Sequence, residues 1–526
     1  MSLVGPIDTT PPREPPKPAE PLPDVLVTPC APAAAYYFEG GLRRIKPYHF
    51  TYNTNCKERW RGRQLVEIFT TEFRDRPPEY YKEALETGRV TVNGKQASPT
   101  TTVKNGDVIS HTLHRHEPPV SARPIGVIYE DDNLLVIDKP AGVPVHAAGR
   151  YHYQSIVEIL KAERNHAWQP RPCNRLDRLT SGVMFIGKTP RAADQMAGQL
   201  KQRTLQKEYV ARVKGKFPDG VIVCDQPILS VSPKLGLNRV RATGKDAKTK
   251  FRRVAYYPPT AATDGEAGPL TTESEGYSIV HCLPLTGRTH QIRVHLQFLG
   301  HPISNDPIYS NRRVFGPDLG KLDTSAERDS EIIDRLNEVG KSEVAQAPEP
   351  VSYRTHLTAA PAVPPGTDPA VVEELVTREH EAATAEYEKR KGEKLSGLVC
   401  EICDTPLYTD PAPHELGIYL HALAYSDLNG GWVYRSQIPE WALPPPGMDG
   451  LREAPEWVPV PEDEEIVIGG GEIPEELGSD DEGDRPKKRN PVPALVRGFG
   501  MVDISADRIY ADGSIAPEGQ EAAGAI

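Results

Sequence analysis

The sequence predicts an α+β fold preceded by a small separate module, and three observations carry that prediction. Short apolar runs typical of buried strands recur in the middle of the chain, for example at 183–186 and 209–213. Amphipathic stretches typical of helices lie between such runs, at about 155–164 and 192–203. An Asn-Gly turn, the strongest short hairpin signal, occurs earlier, at residues 93–94.

Composition divides the chain into ordered and poorly ordered parts. Proline accounts for 53 of the 526 residues, about twice the usual share, and is concentrated outside the middle of the chain. We therefore expect a compact body with flanking segments that lack a core of their own. The expected domains are a disordered Pro-rich leader, 1–36; a small module, 37–120; a main domain, 121–310 and 413–441; an insertion that is partly helical or disordered, 311–412; and an acidic, largely disordered tail, 442–526.

The small module begins with two predicted helices. Apolar residues share one face of each helix at helical spacing: Leu65, Ile68, Phe69 and Phe73 in the first, and Tyr80, Tyr81, Ala84 and Leu85 in the second. The stretch V-T-V-N-G-K then predicts a strand and a tight turn, and N-G-D-V-I predicts a second turn.

Charge is unevenly distributed along the chain. The formal net charge is −11 at pH 7, yet lysine and arginine outnumber aspartate and glutamate across residues 38–310. The acidic excess therefore lies in the flanks and the insertion. A basic body is the footprint expected for contacts to nucleic-acid phosphates. A dense run of basic residues from 234 to 253 fits either a solvated face or such contacts.

The cysteines and histidines give no complete metal site by spacing. Seven scattered cysteines form no disulfide framework, so a reducing compartment is expected. Cys400 and Cys403 have the spacing of half a zinc knuckle, but the downstream His414 and His421 fit no standard pattern. The stretch H-T-L-H-R-H at 111–116 is typical of a solvated linker. We therefore expect two free thiols and no metal.

The most informative stretch is N-R-L-D-R-L-T-S-G, residues 174–182. Asp177 lies between Arg175 and Arg178, and a Thr-Ser-Gly turn leads into the apolar run at 183–186. Nearby positive charge lowers the pKa of a carboxyl group, so Asp177 should stay ionised at neutral pH. An ionised carboxylate suits a nucleophile or an electrostatic stabiliser. The alternative is a surface ion pair before a strand.

Three further stretches accompany it: T-G-R-T-H-Q-I-R-V-H from residue 286, K-E-Y-V-A-R-V from 207, and V-I-Y-E-D-D-N-L-L-V-I-D-K-P-A-G-V-P-V-H from 127. In this order the four stretches closely resemble the RluA-type pseudouridine synthases. The resemblance covers about 124–310 and a closing strand near 414–441. One departure is plain: Asn174 stands where bacterial members carry histidine.

The resemblance implies a mixed, largely antiparallel central sheet with flanking helices, and an active site. Asp177 matches the family's essential carboxylate, Arg293 its basic partner, and Tyr209 its active-site tyrosine. Arg175 matches the arginine thought to fill the gap left by a flipped base. Pseudouridine formation is an isomerisation, so no cofactor is expected. Tyr209 as plain core and Arg293 as a phosphate contact remain the alternatives.

The first module resembles the S-four-like RNA-binding module that often precedes this catalytic domain. RNA-binding residues are expected in both parts of the chain: Arg74, Arg76, Lys95, Arg175, Arg178, Arg288 and His290. The alternative for the module is a generic α/β cap.

The expected partner is RNA, with tRNA favoured. F-R-D-R-P-P-E-Y-Y-K from residue 73 and H-R-H-E-P-P-V from 114 resemble eukaryotic members that act on the anticodon stem-loop, at position 32. Ribosomal or messenger RNA is the alternative substrate, and a non-catalytic RNA-binding protein on the same fold is the rival from another class. A third rival, a bifunctional riboflavin-pathway protein, is disfavoured because this chain lacks the zinc-deaminase signature. We expect a monomer in the cytoplasm with no membrane segment, and a nuclear pool if R-P-K-K-R at 485–489 acts as an import signal.

Overall fold

A computed structural model describes residues 35–72, 78–233, 235–259, 276–316, 318–339 and 395–469. Contacts divide these residues into two units. The first unit comprises the described residues of 49–113, and the second comprises 35–48 together with the described residues from 114 onward. Nearly all of the expected leader, and the helix expected within the insertion, lie outside the described residues.

The elements up to residue 121 come first in chain order. They are β1 Tyr36–Glu39, β2 Leu42–Ile45, β3 Tyr48–Asn55, α1 Leu65–Glu72, α2 Pro78–Glu86, β4 Val90–Val92, β5 Lys95–Gln96, β6 Val108–Arg115 and β7 Val120–Ser121. The second unit holds the three-stranded sheet β1-β2-β7.

The first unit is built on a four-stranded sheet in the order β3-β6-β4-β5, with α1 and α2 supplying its core. The predicted helical faces are confirmed where the structure describes them: Leu65, Ile68 and Leu85 are fully buried. The predicted Asn-Gly turn is also confirmed. Asn93 and Gly94 have φ of 53° and 73°, the left-handed conformation that joins β4 to β5 in a tight hairpin.

Composition suggested that the histidine-rich stretch is a solvated linker, but the structure shows that most of it lies in a strand. Residues 111–115 complete strand β6, which pairs with β4, and the His114 side chain is buried. His111 and His114 are both buried although they lie on opposite faces of β6, since successive side chains of a strand point to opposite faces.

The second unit contains all later elements. They are β8 Gly126–Glu130, β9 Leu134–Lys139, α3 Ile156–Glu163, β10 Arg171–Pro172, β11 Ser181–Gly187, α4 Pro190–Gln202, β12 Leu205–Lys214, β13 Val221–Asp225, β14 Ile228–Ser232, β15 Leu237–Val240, β16 Lys248–Tyr257, β17 Tyr277–Pro284, α5 Gln291–Phe298, α6 Arg312–Phe315, α7 Asp329–Val339, β18 Leu395–Val399, β19 Pro406–Tyr408, β20 Leu420–Asp427, β21 Val433–Arg435 and β22 Glu465–Ile468.

An 11-stranded sheet forms the body of this unit, in the order β22-β13-β16-β17-β12-β20-β11-β9-β8, with β10 beside β11 and β21 beside β20. The pairs β11–β20 and β13–β22 are parallel, and the other strand pairs along this order are antiparallel. Every residue of β17 is buried, as expected for a strand covered on both faces. The sheet is therefore mixed and largely antiparallel, as predicted.

Strand β20 occupies the middle of this sheet, between β11 and β12. Its backbone passes so close to the start of β11 that only glycine fits at position 182. Gly182 has φ of 113°, and a Cβ atom there would lie 2.2 Å from the carbonyl oxygen of Ala422. The glycine of the Thr-Ser-Gly turn thus permits the parallel pairing that brings β20 next to β11.

The helices follow the predicted spans closely. Helix α4 begins where Thr189 caps it: the Thr189 hydroxyl accepts a hydrogen bond from the Ala192 N–H, and Pro190 occupies the first turn. Among the helices in the described ranges, none has the length and apolar character needed to cross a bilayer.

Two flanking segments are more ordered than expected. Residues 442–469 were expected to begin a disordered tail, but Glu465–Ile468 forms β22, which pairs with β13 at the edge of the large sheet. The start of the expected insertion also packs on the body, since Phe315 of α6 and Ile332 of α7 are fully buried. Composition missed both because each segment is short and is flanked by polar or Pro-rich sequence.

Candidate active site

Asp177 lies on the loop that leads into β11, near the centre of the large sheet. The Thr180 N–H donates to the Asp177 carbonyl oxygen at 3.1 Å, which closes the turn before the strand. The Asp177 side chain is 33% exposed, so its carboxylate is within reach of a ligand. The motif residues after Asp177 therefore shape the loop, and the loop exposes the Asp177 carboxylate to a ligand.

Lys139 holds this loop in place from the interior of the protein. Its side chain is fully buried, and Nζ donates to the carbonyl oxygens of Pro140 at 2.9 Å, Val143 at 2.8 Å and Arg178 at 3.2 Å. Burial lowers the Lys139 pKa to about 7, an effect that the nearby Asp177 carboxylate opposes. Lys139 was not predicted as a site residue. The sequence signal that could have identified it is its position between an apolar strand and a proline.

Arg293, in the first turn of α5, links the Asp177 carboxylate to a second one. Its Nη1 donates to Asp177 Oδ2 at 3.1 Å, and its Nε and Nη2 donate to the two oxygens of Asp306 at 2.6 and 3.0 Å. Asp306 is fully buried and also accepts from the N–H groups of Ile308 and Tyr309 at 2.9 and 3.0 Å. The fork geometry of arginine is what allows one side chain to serve both carboxylates.

The charges around Asp177 keep it ionised. Burial alone raises the pKa of Asp177, but His290 when protonated, Arg293 and Arg175 lower it by more, so the Asp177 pKa lies below its usual range. For the Arg293 guanidinium the signs are reversed: burial lowers its pKa, and its carboxylate partners raise that pKa by more. The expectation of an ionised carboxylate at neutral pH is thus consistent with the geometry.

His290 lies against this carboxylate, whereas we expected it to contact RNA. Its Nε2 is 3.6 Å from Asp177 Oδ2, and its Nδ1 is 3.0 Å from the hydroxyl of Tyr309. That hydroxyl already accepts from the Asn238 N–H at 3.1 Å, so it can donate to Nδ1 and leave the proton of neutral His290 on Nε2. Burial lowers the His290 pKa to about 4, so at pH 7 the positive charge near Asp177 comes from Arg293 and Arg175.

Tyr209 enters the site from β12, at a β-bulge. The pairing of β12 with β20 shifts register between Glu208 and Tyr209, because Leu423 of β20 has no residue opposite it. The Tyr209 hydroxyl lies 2.9 Å from that of Tyr425, which also accepts from Asn174 Nδ2 at 3.3 Å. Burial, with smaller effects from Tyr425 and Asp177, raises the Tyr209 pKa well above its ordinary value, so the phenol is protonated.

The structure therefore brings the three predicted catalytic residues into one electrostatic environment: Asp177, Tyr209 and Arg293. Together they offer an ionised carboxylate, a buried cation that orients it, and a protonated phenol. The partners Asp306 and Tyr425 were not predicted. Asp306 lies in the sequence N-D-P, where nothing local marks it as an ion-pair partner.

The residues expected to bind RNA differ in their exposure and in their contacts. Arg175 is exposed beside the Asp177 loop, and the Arg178 guanidinium lies 5.6 Å from the ring centre of Tyr151. Arg288 is half-buried, and its Nε donates to the Asp246 carbonyl at 2.9 Å.

In the first unit Lys95 is exposed on β5. Arg74 and Arg76 lie outside the described residues.

Part of the basic run at 234–253 has a structural role. Arg239 and Arg241 are almost fully buried, and they pair with Asp323 and Asp329, at 2.8 Å from Arg239 Nη2 to Asp323 Oδ2. These ion pairs tie β15 to the segment around α7. A phosphate contact is therefore excluded for these two arginines, although the run as a whole had suggested one.

Comparison with known proteins places these residues in a family. A family model described as RNA pseudouridylate synthase matches residues 133–298, a range that contains Asp177, Tyr209 and Arg293. The "tRNA pseudouridine(32) synthase, mitochondrial" of Saccharomyces cerevisiae is 45% identical to this chain over 77% of this chain and 78% of the relative.

Two further relatives match at comparable length. The human "Pseudouridylate synthase RPUSD2" is 38% identical over 78% of this chain and 75% of the relative. The "tRNA pseudouridine(31) synthase" of Saccharomyces cerevisiae is 30% identical over 77% of this chain and 96% of the relative. Both matches extend well beyond residues 133–298.

Proposed function

Because the chain belongs to the RluA-type RNA pseudouridylate synthase family and is an isomerase that converts uridine to pseudouridine in RNA, we propose that its substrate is tRNA, at position 32 of the anticodon stem-loop. The relative named for position 32 is 45% identical to this chain, and the relative named for position 31 is 30% identical. That difference supports position 32. The observation that carries the catalytic assignment is the ion pair of Arg293 with Asp177.

We propose that Asp177 is the catalytic carboxylate. The reaction breaks the bond between ribose C1′ and uracil N1 and forms one between C1′ and C5; C5 then loses a proton and N1 gains one. Asp177 either adds to the ribose or uracil ring or assists formation of a glycal. Both routes need an ionised carboxylate that a substrate can reach. The lowered Asp177 pKa and the partial exposure of its side chain support either one.

Arg293 is a positioning residue in this proposal. Its two hydrogen bonds to Asp306 fix the guanidinium before substrate binds, so the third donor is aimed at Asp177 without a rearrangement. Hydrogen bonds to charged groups contribute about 1.5–3 kcal/mol each. Loss of the Arg293 contact should therefore slow the reaction by roughly 10- to 150-fold, at about 1.4 kcal/mol for each factor of ten.

Tyr209 is the proposed proton carrier. Its hydroxyl is protonated at neutral pH, so it can give its proton to the detached base and later take the proton that C5 loses. The exchange leaves Tyr209 unchanged overall. We propose that its aromatic ring has a second role as the surface on which the flipped uracil stacks.

Arg175 is proposed to occupy the space that the flipped base leaves in the RNA. The side chain is exposed beside the Asp177 loop, and a planar guanidinium can stack between neighbouring bases. We propose that Arg178 and Arg288 contact phosphates around the same opening.

We also propose that the first unit is an S-four-like RNA-binding module. Its two helices and four-stranded sheet, with Lys95 on an exposed strand, support this role. Arg74 and Arg76 are further proposed RNA-binding residues of this module, and they lie outside the described residues.

The proposal is tested by pseudouridine mapping of total tRNA in cells that lack the endogenous enzyme. The cells carry the wild-type chain, Asp177→Ala, or the matched control Asp132→Ala, which removes an exposed carboxylate outside the site. The wild type and Asp132→Ala should modify uridine 32, and Asp177→Ala should not.

Other outcomes separate the parts of the proposal. Modification at uridine 31 corrects the position, and modification of ribosomal or messenger RNA alone refutes the tRNA assignment. If Asp177→Ala modifies RNA as well as the wild type does, the catalytic role of Asp177 is wrong.

We propose that the enzyme works as a monomer in the cytoplasm. One chain supplies Asp177, Arg293 and Tyr209, so the site needs no second copy. The yeast relative named as mitochondrial makes the compartment a necessary test. A fluorescent fusion of the full chain that co-localises with mitochondria overturns the cytoplasmic assignment, and a dimer mass by light scattering overturns the monomer.

A further inference from the structure

Two histidines and two cysteines converge in the second unit, far from one another in the sequence. His114 lies near the end of β6 and His116 directly follows that strand, whereas Cys400 and Cys403 come from the turn between β18 and β19. Their ligand atoms all lie within 4.8 Å of one another. Spacing alone did not reveal this set, because neither half is a complete site and no local pattern joins them.

Three nitrogen–sulfur distances within this His-Cys cluster match those around a shared tetrahedral ion. His114 Nδ1 is 3.4 Å from both sulfur atoms, and His116 Nε2 is 3.3 Å from Cys403 Sγ. With bonds of about 2.3 Å to sulfur and about 2.0–2.1 Å to nitrogen, tetrahedral geometry places ligand nitrogen and sulfur atoms about 3.5 Å apart. The single Nδ1 of His114 can make one hydrogen bond, whereas one metal ion accounts for both contacts.

The hairpin that carries the cysteines has little hydrophobic support. All five residues of β18 are exposed, and Leu398 and Ile402 are 65% and 67% exposed. An isolated two-stranded hairpin is marginally stable in water. Small elements that cannot build a core are commonly held by a metal ion instead.

The local backbone also suits a metal-binding turn. The Ile402 N–H lies 3.4 Å from Cys400 Sγ, and Asp404 has φ of 52°, so the chain reverses tightly around the sulfur atoms. An N–H directed at sulfur stabilises the thiolate form, which is the form that binds metal. Outside the turn, an Arg44–Asp410 ion pair at 2.8 Å holds the same segment to the rest of the unit.

We propose that His114, His116, Cys400 and Cys403 bind one Zn²⁺ ion that anchors the β18–β19 hairpin to residues 114–116 of the same unit. A tetrahedral set of two sulfurs and two nitrogens favours zinc. Four protein ligands leave no open position for water, so the site is structural rather than catalytic. It takes no part in the isomerisation, and its test does not depend on the proposed substrate.

Metal analysis of the purified full chain tests the site directly. The protein is produced in zinc-supplemented medium with a purification tag that binds no metal, and zinc is measured by mass spectrometry. We expect about one zinc per chain for the wild type and less than about a tenth for the Cys400→Ser/Cys403→Ser double variant. Cys173→Ser, a half-buried cysteine outside the cluster, is the matched control and should keep its zinc. A wild type with less than about 0.2 zinc per chain overturns the proposal.

A second measurement does not rely on variants that can fail to fold. Wild-type protein is treated with a zinc chelator and then with Co²⁺. Tetrahedral cobalt with two thiolates should give intense visible bands and a thiolate-to-metal charge-transfer band. Removal of the metal should also make the hairpin around residues 395–410 sensitive to a protease, and zinc should restore protection. Spectra of six-coordinate cobalt, or a cleavage pattern that chelation leaves unchanged, overturn the assignment.

Discussion

Removal of the Arg293 guanidinium should have separate effects on stability and on catalysis. Arg293→Met leaves the fully buried Asp306 carboxyl group without the two arginine N–H donors that pair with it. Breaking a buried ion pair by deletion of one partner costs about 3–5 kcal/mol. The remaining contact of Arg293, to Asp177, contributes less to stability because Asp177 is one-third exposed. We therefore expect the free energy of unfolding to fall by about 3–5 kcal/mol.

Asp306→Asn completes a thermodynamic cycle. The Oδ1 atom of Asp306 accepts from the N–H groups of Ile308 and Tyr309, and the amide oxygen of asparagine can keep both bonds. The asparagine NH₂ group then takes the place of Oδ2 and opposes the Nε–H of Arg293, so the single variant is also destabilised. In the double variant neither charge remains, so it should be more stable than the sum of the single effects by about 2–3 kcal/mol.

Urea unfolding of the four proteins measures these energies, and single-turnover pseudouridine formation on a tRNA transcript measures catalysis. The double variant should recover stability but not activity, because Asp177 still lacks its donor. If the two single effects add within about 0.5 kcal/mol, the residues are not coupled and the buried-pair reasoning is wrong. If the double variant recovers activity, Arg293 does not act through Asp177.

Three further predictions concern other parts of the protein. Burial lowers the pKa of His295 to about 4 in the folded protein, so between about pH 6.5 and pH 4 the unfolded chain binds a proton at this position and the folded chain does not. The free energy of unfolding of the wild type should therefore fall as pH falls through this range, and that of His295→Gln should fall less. Gly182→Ala should lower the free energy of unfolding by more than about 2 kcal/mol, whereas Gly198→Ala, inside a helix with open space, should raise it by up to about 1 kcal/mol. Tyr209→Phe should reduce the rate of pseudouridine formation by about 100-fold or more without weakening tRNA binding, whereas Tyr425→Phe, which removes the same hydrogen bond, should stay within about tenfold of the wild type.

Each of these three predictions can fail in a defined way. Equal pH dependence of urea unfolding in His295→Gln and the wild type removes that histidine from the acid response. Equal melting temperatures for the two glycine variants contradict the close approach of β20 to β11. Equal rates for Tyr209→Phe and Tyr425→Phe assign the effect to the hydrogen bond and not to a proton on Tyr209.

The strands and helices followed from the sequence because their signals are local, and Asp177, Tyr209 and Arg293 were proposed as catalytic residues because they lie in short motifs. Asp177 and Arg293 lie in motifs whose residues are adjacent, and periodicity placed α3 and α4 within a few residues of their observed ends. We expected His290 to bind RNA and did not anticipate its burial beside Asp177. That burial depends on how α5 packs and not on the sequence around His290.

The features that were missed depend on contacts between distant segments. Asp306 is the partner of Arg293 only because the loop after α5 folds back on that helix. The His-Cys cluster joins residues separated by the whole catalytic body, and β22 finds its place only once β13 exists. No window of sequence contains both halves of these contacts, so composition and spacing could not report them.

The position of β20 has a consequence for how the enzyme is made. The ribosome completes β11 and β12 long before it reaches the strand that lies between them, since β12 ends at Lys214 and β20 begins at Leu420. At about 5–20 residues per second, roughly 10–40 s of synthesis separate the two. During that time the nascent chain holds two half-sheets, each with an unpaired edge that can bind another strand. The enzyme should therefore rely on chaperones during translation, and a chain that stops before residue 420 should aggregate rather than form a smaller active domain.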